Sequence, residues 1–250
     1  LTPHLGASTH EASEGVSFGI CRQIKDFLLE EKLANPINMP ITDMAQLKQI
    51  TPFLDLAETL GKITTQLVES PIKSISVECF GNIDDSKPIS LSFLIGLFHN
   101  ITDNRINFVN ASVIAEERGI SLSHSLNTDT VSFANLIVAH VTTKNGTIEV
   151  AGSVFGDQHP RIVSIMGYEV DVRPEGNMLF VQNKDVPGVI GKVGMVLGKS
   201  AVNIAEYILS RTANNDSAYS IIKFDGIIDD ALLEELTKID EILDIKQLHV

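Results

Sequence analysis

One stretch of the chain, residues 178–205, decides the fold, and its sequence is MLFVQNKDVPGVIGKVGMVLGKSAVNIA. The apolar run 178–181 predicts a buried strand, and a polar turn follows it. Pro187 suits the first position of a helix, because its fixed φ and its missing N–H cost nothing there. Apolar residues then recur at helical spacing until residues 201–204 open a second strand. The stretch therefore predicts a strand that leads directly into a helix N-terminus, and then a second strand.

Three polar residues flank this predicted helix: Asn183 and Asp185 precede it, and Asn203 follows it. The first N–H groups of a helix have no intrahelical partner and carry partial positive charge. We expect the three side chains to converge near those groups, in a pocket for a small zwitterion. The alternative is that Asn183 and Asp185 are turn formers and that Asn203 forms a corner.

Glycines recur every three residues in the predicted helix, at Gly188, Gly191 and Gly194. Glycine lowers helix stability, so its repeated use in a helix requires a structural explanation. We expect them to let the helix approach the sheet, or a ligand, closely.

The motifs Asp-Val-Pro-Gly at residues 185–188 and Val-Asn-Ile at 202–204 resemble the fingerprint of the ACT domain, a βαββαβ amino-acid-sensing module. The rest of the chain agrees, with strands predicted at 204–209, 217–224 and 242–250, and a helix at 230–239 capped by Asp229. The resemblance implies that Asn183, Asp185 and Asn203 contact an amino acid, which is L-serine in the dehydrogenases that the whole chain resembles. It also implies homo-oligomers that form through ACT sheet edges or helices.

Composition limits the possible partners. A chain of 250 residues with 44% apolar residues can bury the cores of two compact domains. The net charge of −13 argues against a nucleic-acid groove and against an anionic membrane surface. The two cysteines have no CxxC spacing and the histidines have no ligand spacing, so we predict no metal site and a reduced, cytoplasmic setting.

A second unit is predicted before the ACT-like segment. A helix starting at Thr51–Pro52 and a strand at 72–80 precede two helices, at 89–100 and at 111–118, the second capped by Asn110. A strand at 120–126, a hairpin around Asn145–Gly146 and a last hairpin around Gly167 follow. The pattern predicts an α+β domain with an antiparallel sheet and helices on one side.

The chain begins with a loop and a long amphipathic helix, which Ser8 or Thr9 can cap. Residues 2–9, TPHLGAST, resemble the end of the nucleotide-binding domain of the NAD-dependent D-2-hydroxyacid dehydrogenases. That resemblance implies that His4 is the general acid/base of an intact enzyme; by its chemistry alone, His4 is an exposed loop histidine. We expect the chain to be the C-terminal part of a longer protein.

The order of the three segments resembles long-form D-3-phosphoglycerate dehydrogenases, with phrases such as Gly-Ser-Val-Phe-Gly at residues 152–156 supporting the match. The resemblance predicts the end of a nucleotide-binding domain at 1–45, an intervening α+β domain at 46–174 and a ferredoxin-like ACT domain at 175–250. It implies NAD in the intact enzyme and L-serine as feedback effector. No GxGxxG fingerprint occurs here, so we expect this chain to bind no NAD. The alternative is the regulatory domain pair of an L-serine dehydratase, or a stand-alone amino-acid sensor.

A second candidate site is cationic. Arg161 and Arg173 lie at the two outer ends of the last predicted hairpin, and Lys223 lies on an ACT strand that could face them. Together they could hold a phosphate or a carboxylate. The alternative is three solvated surface cations.

Overall fold

The structure is a computed structural model that describes residues 3, 5–30, 32, 34–36, 44–99, 101, 105–128, 132–156, 158–211 and 217–250; for residues 44 and 45 it describes the backbone alone. The chain divides into two compact units, Leu1–Thr51 and Pro52–Val250. None of the helices in these described ranges is long and apolar enough to cross a bilayer.

The first unit contains the predicted N-terminal helix, α1 (His10–Glu30). Thr9 caps it, because its Oγ1 accepts a hydrogen bond from the Ala12 N–H at 3.2 Å. The apolar residues Phe18, Leu28 and Leu29 of α1 are exposed, and α1 has no buried residue.

The second unit opens with a six-stranded sheet and three helices. In chain order these are α2 (Met44–Leu67), which begins in the first unit, β1 (Ile72–Gly81), α3 (Ser86–Leu97), α4 (Ala111–Glu117), β2 (Ser121–Asn127), β3 (Asn135–Thr143), β4 (Thr147–Phe155), β5 (His159–Ile165) and β6 (Tyr168–Val172). The strand order is β2-β1-β3-β4-β5-β6. The predicted hairpins join β3 to β4 and β5 to β6. The α+β class is confirmed, and one edge pair, β1 with β2, is parallel.

One predicted helix start and one predicted helix cap are wrong. α2 begins at Met44, and Pro52 lies inside it, where the Thr51 hydroxyl donates to the Leu47 carbonyl at 2.6 Å in the preceding turn. A proline inside a helix costs about 3 kcal/mol, which the burial of the apolar face after it offsets. Asn110 does not cap α4, because its Oδ1 accepts from the Asn107 N–H at 2.8 Å instead.

The two helices that cover the core of this sheet cross at paired glycines. A Cβ on Gly61 of α2 would lie 2.2 Å from the Phe93 carbonyl oxygen, and one on Gly96 of α3 would lie 1.9 Å from the Glu58 carbonyl oxygen. Both obstacles are backbone atoms, which cannot move without shifting a helix. The α2–α3 crossing therefore requires glycine at both positions.

We predict that Gly61→Ala and Gly96→Ala each destabilise the protein by about 2 kcal/mol or more, because the added methyl forces the two helices apart. The measurement is the free energy of unfolding in urea. Gly194→Ala is the matched control, since a Cβ there meets nothing within 4 Å. The control should stabilise by up to about 1 kcal/mol through helix propensity. Equal effects at the three positions would contradict the close crossing.

The described residues after β6 form a second, four-stranded sheet and two helices. In chain order these are β7 (Asn177–Lys184), α5 (Val189–Lys199), β8 (Ile204–Arg211), β9 (Ser217–Phe224), α6 (Asp230–Thr237) and β10 (Ile242–His249). The strand order β10-β7-β9-β8, with antiparallel neighbours, gives the predicted βαββαβ ferredoxin-like fold. Asp229 caps α6 as predicted, because its Oδ1 accepts from the Leu232 N–H at 2.9 Å. Both helices pack on one face of this sheet, over a buried apolar cluster.

The start of α5 differs from the prediction. The helix begins at Val189, and Pro187 precedes it, because Gly188 has φ 98° and occupies the N-cap position. The expected close approach of the glycines to the sheet is also wrong. Residues 189, 193 and 197 face the sheet, and a Cβ on Gly191 or Gly194 would meet nothing within 4 Å.

The other face of the second sheet is buried against the first sheet. Tyr168 of β6 stacks on Tyr219 of β9 with ring centroids 5.1 Å apart, and Phe180 of β7 meets Tyr219 edge-on at 5.9 Å. All three residues are buried. Aromatic pairs in these geometries add to the free energy of area burial. The two sheets therefore share a core on this side.

One edge of the second sheet is covered from α2. The Gln66 side chain donates to the His249 carbonyl and accepts from the His249 N–H, each at 3.1 Å. Lys246 also contacts α2, through the Leu67 carbonyl. A free edge strand offers unpaired backbone groups to another chain. At His249 of β10 those groups are already bonded, whereas β8 forms the opposite edge.

Candidate functional site

A cleft of about 490 Å³ lies where β7 ends and α5 begins. Its walls come from the end of β7, the turn into α5, the first residues of α5 and the end of β8. The lining residues are Asn183, Asp185, Val186, Pro187, Gly188, Val189, Ile190, Leu209 and Arg211.

The turn into α5 leaves donors available at the cleft. The Val186 N–H donates to the Lys184 carbonyl at 2.9 Å, which turns the chain after β7. Gly188 then takes a left-handed conformation, which its missing side chain permits, and no side chain caps the helix. The N–H groups of the first turn of α5 have no intrahelical partner and suit an anionic group.

A series of hydrogen-bonded side chains holds the Asn183 amide in place. The Tyr207 hydroxyl donates to Ser220 Oγ at 3.2 Å, and Ser220 Oγ donates to Asn183 Oδ1 at 3.4 Å. Asn183 Nδ2 donates to the Lys184 carbonyl at 2.8 Å. Burial raises the pKa of Tyr207, so its hydroxyl stays protonated as a donor. The amide is thus oriented, and it keeps one N–H for a ligand.

Asp185 is paired with a residue that sequence reasoning missed. Arg211 Nη2 lies 3.1 Å from Asp185 Oδ1, with the carboxylate side chain 27% exposed and the guanidinium side chain 64% exposed. Arg211 and Asn183 both pair with Ala218 across β9, so they stand at the same level of the sheet. Only this strand register brings Arg211 to the cleft, and the sequence does not reveal the register.

Asn203 lies at the other end of the sheet. Ile204, next to it, pairs with Phe224, which pairs with Asn177 at the start of β7. Six residues of strand, about 20 Å, separate that level from Asn183. Asn203 Nδ2 donates to Asp225 Oδ2 at 2.7 Å. The expected convergence of Asn203 with Asn183 and Asp185 within one chain is therefore wrong, while the roles of the three residues stay predictions.

The remaining predicted site residues are placed as follows. His4 lies outside the described residues. Arg161 Nη1 lies 3.4 Å from Asp171 Oδ1, and Lys223 Nζ lies 3.4 Å from Glu175 Oε1. Lys223 also donates to the backbone carbonyl of Arg173 at 3.4 Å. Arg161 and Lys223 therefore already have carboxylate partners, which an anion would have to displace.

Metal-ligating residues do not cluster in the parts of the chain that the structure describes. No group of three or more histidine, cysteine and acidic side chains there could hold a metal ion. Burial raises the pKa of the Cys79 thiol to about 12, so this cysteine stays in its protonated form.

An ion pair connects α5 to the loop before β10. Lys192 Nζ lies 2.6 Å from Glu241 Oε1, and this hydrogen bond is the main cause that holds the pKa of Glu241 below its ordinary value. The Glu241 carbonyl also accepts from the Lys184 N–H at 2.8 Å, at the end of β7. Glu241 therefore contacts both the first turns of α5, through its side chain, and the end of β7, through its backbone.

We predict that Lys192→Met raises the pKa of Glu241 toward its ordinary value, which a carbon-13 NMR titration of the carboxyl group measures. A carboxyl group whose pKa is lower in the folded state than in the unfolded state stabilises the protein at pH values above its unfolded-state pKa. This stabilisation is lost as the pH falls through the folded-state pKa. Wild type should therefore lose more stability than the variant on acidification in that window. Lys199→Met, in the last turn of α5, is the control. An unchanged Glu241 titration in Lys192→Met would show that the Lys192–Glu241 ion pair does not lower the pKa of Glu241.

Comparison with known proteins gives the class first. The second sheet and its helices have a ferredoxin-like βαββαβ fold, and residues 49–166 match the family described as "D-3-phosphoglycerate dehydrogenase intervening domain". A solved ACT domain, from the GTP pyrophosphokinase of Chlorobium tepidum, is 17% identical and matches 30% of this chain and 97% of that one, with a TM-score of 0.25.

Relatives that match nearly all of this chain are D-3-phosphoglycerate dehydrogenases. D-3-phosphoglycerate dehydrogenase of Bacillus subtilis is 30% identical over 100% of this chain and 48% of its own length. The enzymes of Synechocystis and Archaeoglobus fulgidus are each 32% identical, over 98% and 97% of this chain and 45% and 47% of their own lengths. The chain thus spans about half the length of these relatives. The predicted resemblance to the C-terminal part of D-3-phosphoglycerate dehydrogenases is confirmed.

Proposed function

We propose that this chain is the regulatory and oligomerisation portion of a cytoplasmic D-3-phosphoglycerate dehydrogenase, and that it binds L-serine as feedback effector. The intact enzyme would oxidise 3-phospho-D-glycerate to 3-phosphohydroxypyruvate with NAD, the first step of L-serine biosynthesis, with His4 as general acid/base. The observation that carries the effector assignment is the cleft before α5, which a fixed amide and a carboxylate line together with the start of a helix.

The groups of the cleft match those of a small amino acid. Asp185 can accept from the α-ammonium group, and the N–H groups at the start of α5 suit the α-carboxylate. Asn183 keeps one amide hydrogen for the ligand and cannot rotate freely, because its oxygen and its other hydrogen are bonded within the protein. A cleft of about 490 Å³ has ample room for such a molecule.

The position of Asn203 supports a site completed by two copies of the chain. A two-fold axis beside α5 and β8 would bring Asn203 of one copy toward the cleft of the other, and would create two equivalent sites. Two features favour this surface. β8 is the edge strand opposite β10, and Ile190 and Met195 of α5 are exposed.

Regulation then follows from differential binding. Serine held between two copies would stabilise one arrangement of subunits over another, and only that difference in affinity can shift an equilibrium between active and inhibited enzyme. The family's TPHxG motif and NAD belong to the catalytic part of the intact enzyme, so the effector would act on it at a distance.

We predict that calorimetric titration of the protein with L-serine gives a dissociation constant between about 1 μM and 1 mM, the range that a few charge-assisted hydrogen bonds support. If the site spans two copies, the apparent affinity should rise with protein concentration, and sedimentation should show serine-promoted association. The absence of heat with serine and with other small amino acids would reject the proposed function.

We further predict that Asn203→Ala weakens L-serine binding about tenfold, through loss of one hydrogen bond to the ligand. Asp225→Ala is the matched control, because it removes the same Asn203–Asp225 hydrogen bond and leaves the Asn203 side chain in place. Unchanged binding in Asn203→Ala, or equal losses in both variants, would remove Asn203 from the ligand contacts.

A further inference from the structure

We propose that Arg211 binds the carboxylate of the ligand, and that the Asp185–Arg211 pair makes the cleft selective for zwitterions over amines and acids. This inference rests on the proposed function, because it specifies the ligand of the same cleft. It adds a residue outside the Asp-Val-Pro-Gly and Val-Asn-Ile motifs, placed by the strand register and by its contact with Asp185.

Among the residues that the structure describes, the cleft is lined by one group of each charge. Asp185 is the acidic residue of the lining and Arg211 the basic one, and the two are joined at 3.1 Å. The other polar side chain of the lining, Asn183, is neutral and is bonded within the protein. A free carboxylate would attract any amine, and a free guanidinium would attract any acid. Paired with each other, the two side chains attract neither strongly.

The geometry lets Arg211 exchange one carboxylate partner for another. Its side chain is 64% exposed, so the guanidinium can turn without unpacking the protein interior. The planar guanidinium carries five N–H donors in a fork that matches a carboxylate, and the contact with Asp185 leaves donors free. It can therefore turn from Asp185 to a ligand carboxylate placed beside the start of α5.

Selectivity for zwitterions follows because Asp185 and Arg211 each need a partner of opposite charge. A zwitterion that enters the cleft supplies an ammonium group to Asp185 and a carboxylate to Arg211, so both side chains exchange one partner of opposite charge for another. An amine that takes Asp185 leaves Arg211 without its carboxylate, and an acid that takes Arg211 leaves Asp185 without its cation. Single-charge ligands therefore gain one interaction only by breaking another.

The test is a titration of the purified protein with three probes: L-serine, ethanolamine, which lacks the carboxylate, and 3-hydroxypropanoate, which lacks the ammonium group. Wild type should bind serine at least about tenfold more tightly than either analogue. In Arg211→Gln, serine affinity should fall about tenfold or more, while ethanolamine affinity stays equal or rises, because Asp185 has lost its competitor. The ratio of the two affinities should therefore collapse.

Two further variants keep the result interpretable. Asp185→Asn should produce the mirror image, with weaker serine binding and unchanged or tighter binding of 3-hydroxypropanoate. Arg22→Gln is the matched control, because Arg22 also pairs with an aspartate, Asp26 at 3.8 Å, and does not line the cleft. Its affinities for all three probes should equal those of wild type.

The outcomes separate this inference from the proposed function. If wild type binds neither serine nor another small amino acid, both are overturned. If wild type binds serine and Arg211→Gln binds it with the same affinity and the same preference over ethanolamine, only the role of Arg211 is overturned. Thermal unfolding of each variant checks that it folds, and Asp185→Asn decides the matter if Arg211→Gln does not.

Discussion

The packing of Tyr219 against Tyr168 and Phe180 is the contact on which the arrangement of the second unit depends. It buries the face of the βαββαβ sheet that α5 and α6 leave open. Successive side chains of a strand point to opposite faces, so Tyr219 faces the first sheet and its neighbour Ser220 lies beneath Asn183. One strand, β9, therefore contacts both the inter-sheet core and the floor of the cleft.

Several polar groups in the second unit are matched locally, despite the net charge of −13 of the chain. Arg211, Arg161 and Lys223 each lie beside a carboxylate, and Gln66 bonds the backbone of β10 at His249. The cleft before α5 is different in one respect. The first turn of the helix there has no capping side chain, so its N–H groups have no side-chain partner within the described residues.

Sequence patterns located most elements because strands and helices have distinct apolar periods. The Asn145–Gly146 hairpin, the Asp229 cap and the βαββαβ order were all predictable from local signals. The misplaced helix starts, at Pro52 and Pro187, share one cause. Proline suits a first helical position but is not restricted to it. Packing tolerates Pro52 inside α2, and the backbone conformation of Gly188 places Pro187 before α5. Asn183 and Asp185 were found at the cleft because they adjoin one turn.

The sequence by itself determined the elements, the ACT-like motifs and the polar residues near the start of α5, since these depend on neighbours along the chain. Only the tertiary structure decided that Arg211 joins the cleft and that Asn203 stands about 20 Å from it. It also showed that the glycines of α5 face open space. Strand register and helix rotation fix those relations, and both arise from packing between segments distant in sequence.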